Sequence, residues 1–245
     1  MSLLSLRAIG RRYGALQVVN NISFDVAAGE AVGVLGPNGA GKTTLMKLVA
    51  GTVSLSAGSI HFDGRKIDAL RSEDRCGIGI SRTSQVPQPF VGMTVWENVL
   101  TAACHGGHHD LAAAEEVAYS CLQRTGLLDR HGQLADALPL MGRKRLELAR
   151  ALACAPKLLL LDEIAGGLSD FEVKDLVALV RDINESGVAV VWIEHIVHAL
   201  LSVVSRVVAM DLGNLIADGT PDEVINGPAF KQAYFGDKIA TVGMA

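Results

Sequence analysis

The chain has 245 residues, a hydrophobic fraction of 49% and a formal net charge of −4 at neutral pH. That length and apolar content suffice to bury a sizeable core and fit one domain with a subdomain better than two independent units. The small acidic excess gives no electrostatic basis for nucleic acid as a partner, and Cys76, Cys104, Cys121 and Cys154 form no C-x-x-C pair, which fits a reducing compartment rather than a disulfide framework.

In chain order, the segment from Met1 to Arg7 is too short, and too soon followed by Arg11 and Arg12, to read as a secretory signal. Short strands are predicted over Leu3 to Arg7, Ile22 to Val26 and Gly58 to Phe62, with turns at Ala28-Gly29 and Asp63-Gly64, giving an antiparallel layer. Between them a buried strand, Ala31 to Leu35, leads into Gly36-Pro37-Asn38-Gly39-Ala40-Gly41-Lys42-Thr43-Thr44 and then a helix from Thr44 to Ala50. This completes the pattern G-x-x-x-x-G-K-[ST] in the strand-to-helix context that a phosphate loop requires. Gly36, Gly39 and Gly41 let the backbone curl so that its N–H groups point at phosphate oxygens beside a helix N-terminus. Lys42 is then expected on the β- and γ-phosphates, and the Thr43 hydroxyl on a magnesium ion bridging them.

Helical patterns dominate from Val95 to Ala155: Thr94 to Leu100, Leu111 to Thr125 and Lys144 to Ala153. After Pro156 strand and helix alternate, over Leu158 to Leu161, Phe171 to Asn184, Val188 to Ile193, Ile196 to Val204 and Val207 to Met210, which predicts a parallel sheet flanked by helices. The stretch from Gly187 to Met210 is the most apolar, but Glu194, His195, His198 and Arg206 break it, so a buried strand and helix fit it better than a membrane span. Leu158-Leu159-Leu160-Leu161 ends in Asp162-Glu163. Taken alone, two acids closing an apolar run simply mark where a strand meets solvent. Beside a phosphate loop they divide into a magnesium-coordinating Asp162 and a general base, Glu163, for the attacking water. His105-Gly106-Gly107-His108-His109 lacks a cysteine or carboxylate cluster to complete a coordination shell, so no metal beyond nucleotide-bound magnesium is expected.

With these motifs in this order, the chain resembles the nucleotide-binding subunits of ABC transporters over essentially its full length. The resemblance implies an α/β P-loop NTPase (RecA-like) core with an N-terminal antiparallel β subdomain and an inserted α-helical subdomain. It divides the single domain into a catalytic core, 1–85 and 157–225, a helical subdomain, 86–156, and a C-terminal tail, 226–245. Tyr13 lies where the family stacks an aromatic ring on adenine, with Val18 packing beside it. The nucleotide contacts implied are these two, Gly36, Asn38, Gly39, Ala40, Gly41, Lys42, Thr43, Thr44, Gln85 and Asp162. Thr43, Gln85 and Asp162 are expected around magnesium, and Lys42, Glu163 and His195 as the catalytic set. A lone histidine after a strand is more often structural, but His195 in Trp192-Ile193-Glu194-His195 matches the family's switch histidine.

Two departures stand out. Where the family signature Leu-Ser-Gly-Gly-Gln precedes a helix, this chain has Leu138-Pro139-Leu140-Met141-Gly142 in an ungapped register, and Pro139 offers neither hydroxyl nor N–H; with one extra residue accommodated, Gly142 could still supply a close backbone approach and the loss is partial. Ile164 replaces the proline after the paired acids, and the segment Gly166-Gly167-Leu168-Ser169 lacks its usual terminal aspartate, for which Ser169 or Asp170 could compensate. An intact phosphate loop beside a degraded signature favours a heterodimer with a second ABC ATPase over a homodimer. The wording of Met93-Thr94-Val95-x-Glu97-Asn98-Val99, Ile193-Glu194-His195, Pro221-Asp222-Glu223-Val224-Ile225 and Tyr234-Phe235-Gly236 is closest to importers of branched-chain amino acids and related solutes. The resemblance then implies ATP and magnesium, two transmembrane permease subunits, indirectly a solute-binding protein, and a peripheral place on the cytoplasmic face of the inner membrane. The groove near Pro87, Phe90, Met93 and Trp96 is the expected docking surface, although packing explains Trp96 equally well. The alternatives are a soluble scaffold ATPase of the iron-sulfur assembly type and a lipid-export ATPase.

Overall fold

The computed structural model describes residues 2–235. A long antiparallel hairpin opens the chain, β1 (Ser2–Tyr13) and β2 (Leu16–Ala27). Then come β3 (Ala31–Leu35), α1 (Lys42–Ala50), β4 (Ala57–Phe62), β5 (Arg65–Lys66), α2 (Ser72–Gly77) and β6 (Ile80–Arg82). Next is a helical stretch, α3 (Val95–His105), α4 (Leu111–Arg124) and α5 (Leu140–Ala153). The chain returns through β7 (Leu158–Asp162), α6 (Asp170–Glu185), β8 (Ala189–Ile193), α7 (Val197–Leu201), β9 (Arg206–Asp211) and β10 (Asn214–Gly219) to α8 (Pro221–Asn226) and α9 (Pro228–Phe235). The tail expected over 226–245 is therefore described only as far as Phe235. Gly236 to Ala245 lie outside the described residues.

The strands form an antiparallel sheet, β2-β1-β4-β5, and a larger sheet, β10-β9-β3-β8-β7-β6, parallel except for β10 on β9. The continuous apolar runs of β3, β7 and β8 arise from burial on both faces. Leu159, Leu161, Val190 and Trp192 turn into a core shared with the helices, while Leu158, Leu160, Ala189 and Val191 turn into a second core under the antiparallel sheet and α1. Parallel β3, β8 and β7 therefore end together, which brings the loops after them, carrying Lys42, His195 and Glu163, to one edge.

Several elements depart from the sequence expectation. β1 and β2 are about twice as long as predicted because their polar halves lie on an exposed hairpin. β5, α2, β6 and β10 lack a strong apolar pattern: β6 is three residues long, and β10 is a partly exposed edge strand. α5 starts at Leu140, four residues before the predicted Lys144, because Pro139 occupies its N-cap at φ −63°, a backbone value already suited to entering a helix. α3, α6 and α8 begin at capping boxes, Thr94 with Glu97, Ser169 with Glu172 and Thr220 with Glu223.

Candidate active site

The phosphate loop links β3 to α1 and closes around a cavity of about 210 Å³ lined by Val18, Asn38 to Thr44 and Glu163. Gly41 precedes α1 in the left-handed region, φ 97°, with no side-chain cap on the helix, which leaves the first-turn N–H groups to an incoming ligand. A Cβ there would lie 2.5 Å from the Val18 carbonyl oxygen, so the position needs glycine for both conformation and space. The Lys42 ammonium is buried and donates to the carbonyls of Gly36, 2.6 Å, and Pro37, 3.0 Å. Burial pulls its pKa below the ordinary lysine value, against the upward pull of Glu163 and Asp162. Gly36 N–H donates to the Tyr234 hydroxyl at 2.8 Å, a contact from α9 that no local pattern announces. Tyr13 sits at the tip of the β1 hairpin, outside the lining of this cavity, with the Arg11 guanidinium 4.4 Å from its ring centroid.

The two acids closing β7 occupy different surroundings. Asp162 is 1% exposed; its Oδ2 lies 3.6 Å from Arg82, and its Oδ1 has no hydrogen-bond partner among the described residues. Burial pushes its carboxyl above the usual range while Arg82 pulls it down. A buried carboxylate oxygen with no partner fits a site that gains a cation along with nucleotide. Glu163 holds a left-handed backbone, φ 50°, rare for a residue with a Cβ, fixed by its N–H bonding to Ile193 O at 2.9 Å. Its carboxylate accepts from Gln85 Nε2 at 2.5 Å and pairs with His195 Nε2 at 2.7 Å. Gln85, Glu163 and His195, assigned separate roles from the sequence, thus form one hydrogen-bonded cluster.

Around this cluster lie buried charges that sequence reasoning missed. Glu147 of α5 accepts from the Ser84 and Gln88 N–H groups, flanking Gln85. Glu194, 2% exposed, accepts from the N–H groups of Ala165, His195 and Ile196. Arg150 donates to Gln88 O at 2.6 Å, and its guanidinium lies 4.2 Å from the Phe90 ring centroid. Lys144, Glu147 and Arg150 recur every three residues along α5, but Arg143 and Arg145 beside them hide that register, so no local signal sets Lys144 and Glu147 apart as buried. Ser169 donates to the Glu172 carboxylate at 2.8 Å and caps α6, so its hydroxyl is already engaged where the family carries an aspartate. Among the predicted docking residues Phe90 is exposed, beside exposed Val86 and Val91, whereas Trp96 packs against the helical core.

A larger cavity of about 670 Å³ extends from Asp162 and Gln85 to Cys76 and Cys154. A hydrogen bond from Cys154 draws the Cys76 thiol down to about 7, while burial pushes Cys121 up to about 11. Iodoacetamide at about pH 8 is therefore expected to modify Cys76 well before Cys121. Mass-mapped labelling checks this, and the reverse order contradicts it.

A phosphate loop after β3, an acid pair closing β7 with β8 between the two strands, and an inserted helical segment define an ATPase cassette. The family model described as ABC transporter matches residues 19–166, and the chain belongs to that family. It binds ATP, hydrolyses it to drive transport, and works with transmembrane permease components. None of its described helices is long and apolar enough to cross a membrane. The lipopolysaccharide export system ATP-binding protein LptB of Haemophilus influenzae is 35% identical over 97% of this chain and 99% of its own length. The high-affinity branched-chain amino acid transport ATP-binding protein LivG of Salmonella typhimurium is 32% identical over 96% and 98%. Among solved structures, the ADP conformation of an ATP-binding cassette of an ABC transporter superposes with a TM-score of 0.86 at 26% identity, covering 96% of this chain and 99% of that one.

Proposed function

We propose that this chain is the ATP-hydrolysing subunit of an importer for branched-chain amino acids or related small solutes, paired with a second, different ATPase. The observation that carries the reading is the start of α5, where Pro139 caps the helix, Leu140 is exposed and Met141 is buried in the core, at the positions of the family's serine and glycines. A homodimer would place this poor anion cap over both nucleotides. A heterodimer needs only its partner's signature to be intact over the site built on Lys42 and Glu163. Losing one preorganised donor to developing charge costs about 3–4 kcal/mol, so a site missing several turns over slowly.

In this reading the phosphate loop from Gly36 to Thr44 cradles the phosphates, Lys42 moves from its loop carbonyls onto the β- and γ-phosphates, and Tyr13 with Val18 receives the adenine. Glu163 takes the proton of the attacking water, and His195 and Gln85 position that carboxylate and register the γ-phosphate. Thr43, Gln85 and Asp162 would hold magnesium, which neutralises phosphate charge when bound with ATP. Exposed Phe90, Val86 and Val91 supply the docking patch for the permeases, on the cytoplasmic face of the membrane, with a solute-binding protein on the far side.

Native mass measurement of a Glu163→Gln variant with ATP tests the pairing. The chain alone is expected to stay monomeric and to dimerise only with its partner ATPase; a tight ATP-dependent homodimer contradicts the asymmetry. Export is the second reading, favoured by the 35% identity to LptB. It requires that homodimer.

A further inference from the structure

We propose that Tyr234 is a positioning residue for the nucleotide: from α9 its hydroxyl fixes the first residue of the phosphate loop, so the C-terminal helix sets how tightly that loop holds ATP. Gly36 N–H donates to the Tyr234 hydroxyl at 2.8 Å, across a separation of 198 residues in the chain. Gly36 is buried, and a Cβ there would collide with the carbonyl oxygen of Met210 near the end of β9, so the loop leaves β3 pressed against that strand. An enclosed N–H that loses its acceptor costs more than the bond itself contributes, because its solvation is not returned.

The last third of the chain holds the phosphate loop at two points. Tyr234 stands at its entry. Towards its exit Gly213, in the turn between β9 and β10, donates its N–H to Ala40 O at 3.1 Å and accepts from Asn20 N at 2.8 Å. Between these points Asn38 and Gly39 are exposed, open to an incoming phosphate. Lys42 grips Gly36 from its other end, donating to the carbonyl oxygen at 2.6 Å. When the ammonium moves onto the phosphates it gives up that carbonyl, and the Tyr234 hydroxyl keeps Gly36 in place through the N–H.

The packing of α9 presents that hydroxyl. Phe230 is buried in the core that contains Val207 and Ala209 of β9, and its ring stacks on Tyr234 with centroids 4.3 Å apart. Ala209 pairs with Leu35, the residue before Gly36, so the support of α9 and the entry to the loop rest on one strand. Burial raises the phenol above its ordinary value, against the pull of Gly36 N–H, so the hydroxyl stays neutral at physiological pH. Without it the free loop shifts to bring Gly36 N–H to water, and ATP must draw the loop back, so the cost falls on binding. A bond that only docked α9 on the sheet would, when lost, free the helix and leave ATP affinity alone. The inference rests on the phosphate loop as the seat of the phosphates and holds for import and export alike.

Equilibrium ATP binding by the full chain tests the proposal with Tyr234→Phe, which keeps the ring and its stack on Phe230 and removes only the hydroxyl. The Kd for ATP is expected to rise about tenfold, the scale of one hydrogen bond exchanged for solvent. KM for ATP should rise by the same factor, with kcat at saturating ATP within about twofold of the parent, because Glu163 is fixed by Ile193 O rather than by the loop. Hydrogen–deuterium exchange should quicken at 36–41 in the nucleotide-free chain and return to the parent rate at saturating ATP. Unchanged ATP affinity, with faster exchange confined to 228–235, overturns the proposal. Lys42→Ala, measured alongside, locates the failure: if it binds ATP as well as the parent does, the phosphate-loop reading falls and the proposal with it. If it loses ATP while Tyr234→Phe binds normally, the role of Tyr234 alone is overturned.

Discussion

Replacing Glu163 with glutamine is expected to cut ATP turnover by about 10²–10⁴-fold, the range supplied by a positioned general base. ATP affinity should stay near that of the parent chain. The two effects separate because the phosphate-binding groups belong to the loop between β3 and α1, whereas the Glu163 backbone is fixed independently by its N–H bond to Ile193 O. The amide keeps the length and one acceptor for His195, loses basicity and replaces the second acceptor with a donor. Its new donor faces the Gln85 Nε2 donor, so Gln85 must rotate its amide, a local change that leaves the phosphate loop alone. Phosphate release at saturating ATP, alongside equilibrium nucleotide binding, measures both quantities. Near-normal turnover would mean that another group activates the water.

Gly41→Ala should lose nucleotide binding instead. At φ 97° a methyl side chain costs about 1–2 kcal/mol in backbone strain alone. Its Cβ would also meet the Val18 carbonyl oxygen at 2.5 Å, and that backbone belongs to a strand that cannot yield cheaply. The loop must shift, and losing two aligned N–H donors at about 1.5–3 kcal/mol each weakens ATP binding about a hundredfold or more. Gly64→Ala is the control: φ is 75°, but nothing lies within 4 Å of the added methyl. It should destabilise the chain slightly and bind ATP normally. If Gly41→Ala binds ATP as well as Gly64→Ala does, the geometric account of the loop fails.

Local pattern is what made parts of the fold legible in the sequence. β3, β7 and β8 are apolar runs because both of their faces are buried, and the phosphate loop needs its glycines and lysine at fixed spacing, so chain order alone exposes them. The clustering of Gln85, Glu163 and His195 is not legible, because these residues come from loops after three different strands and only the sheet order brings them together. The burial of Glu147 and Lys144 is not legible either, because α5 is packed on nearly every side and encloses charged residues that its local pattern does not set apart. The Tyr234 contact with Gly36 N–H spans almost the whole chain, and no local periodicity reports it. Ser169 reads as available to replace the missing aspartate, but its hydroxyl is spent capping α6.

The most direct test is to isolate the protein at native abundance from gently solubilised membranes and identify its companions, with their stoichiometry, by mass spectrometry. The account predicts two multi-span permeases and one copy each of this chain and of a second ATPase with an intact signature. Two copies of this chain on the permeases, or soluble partners only, would contradict it.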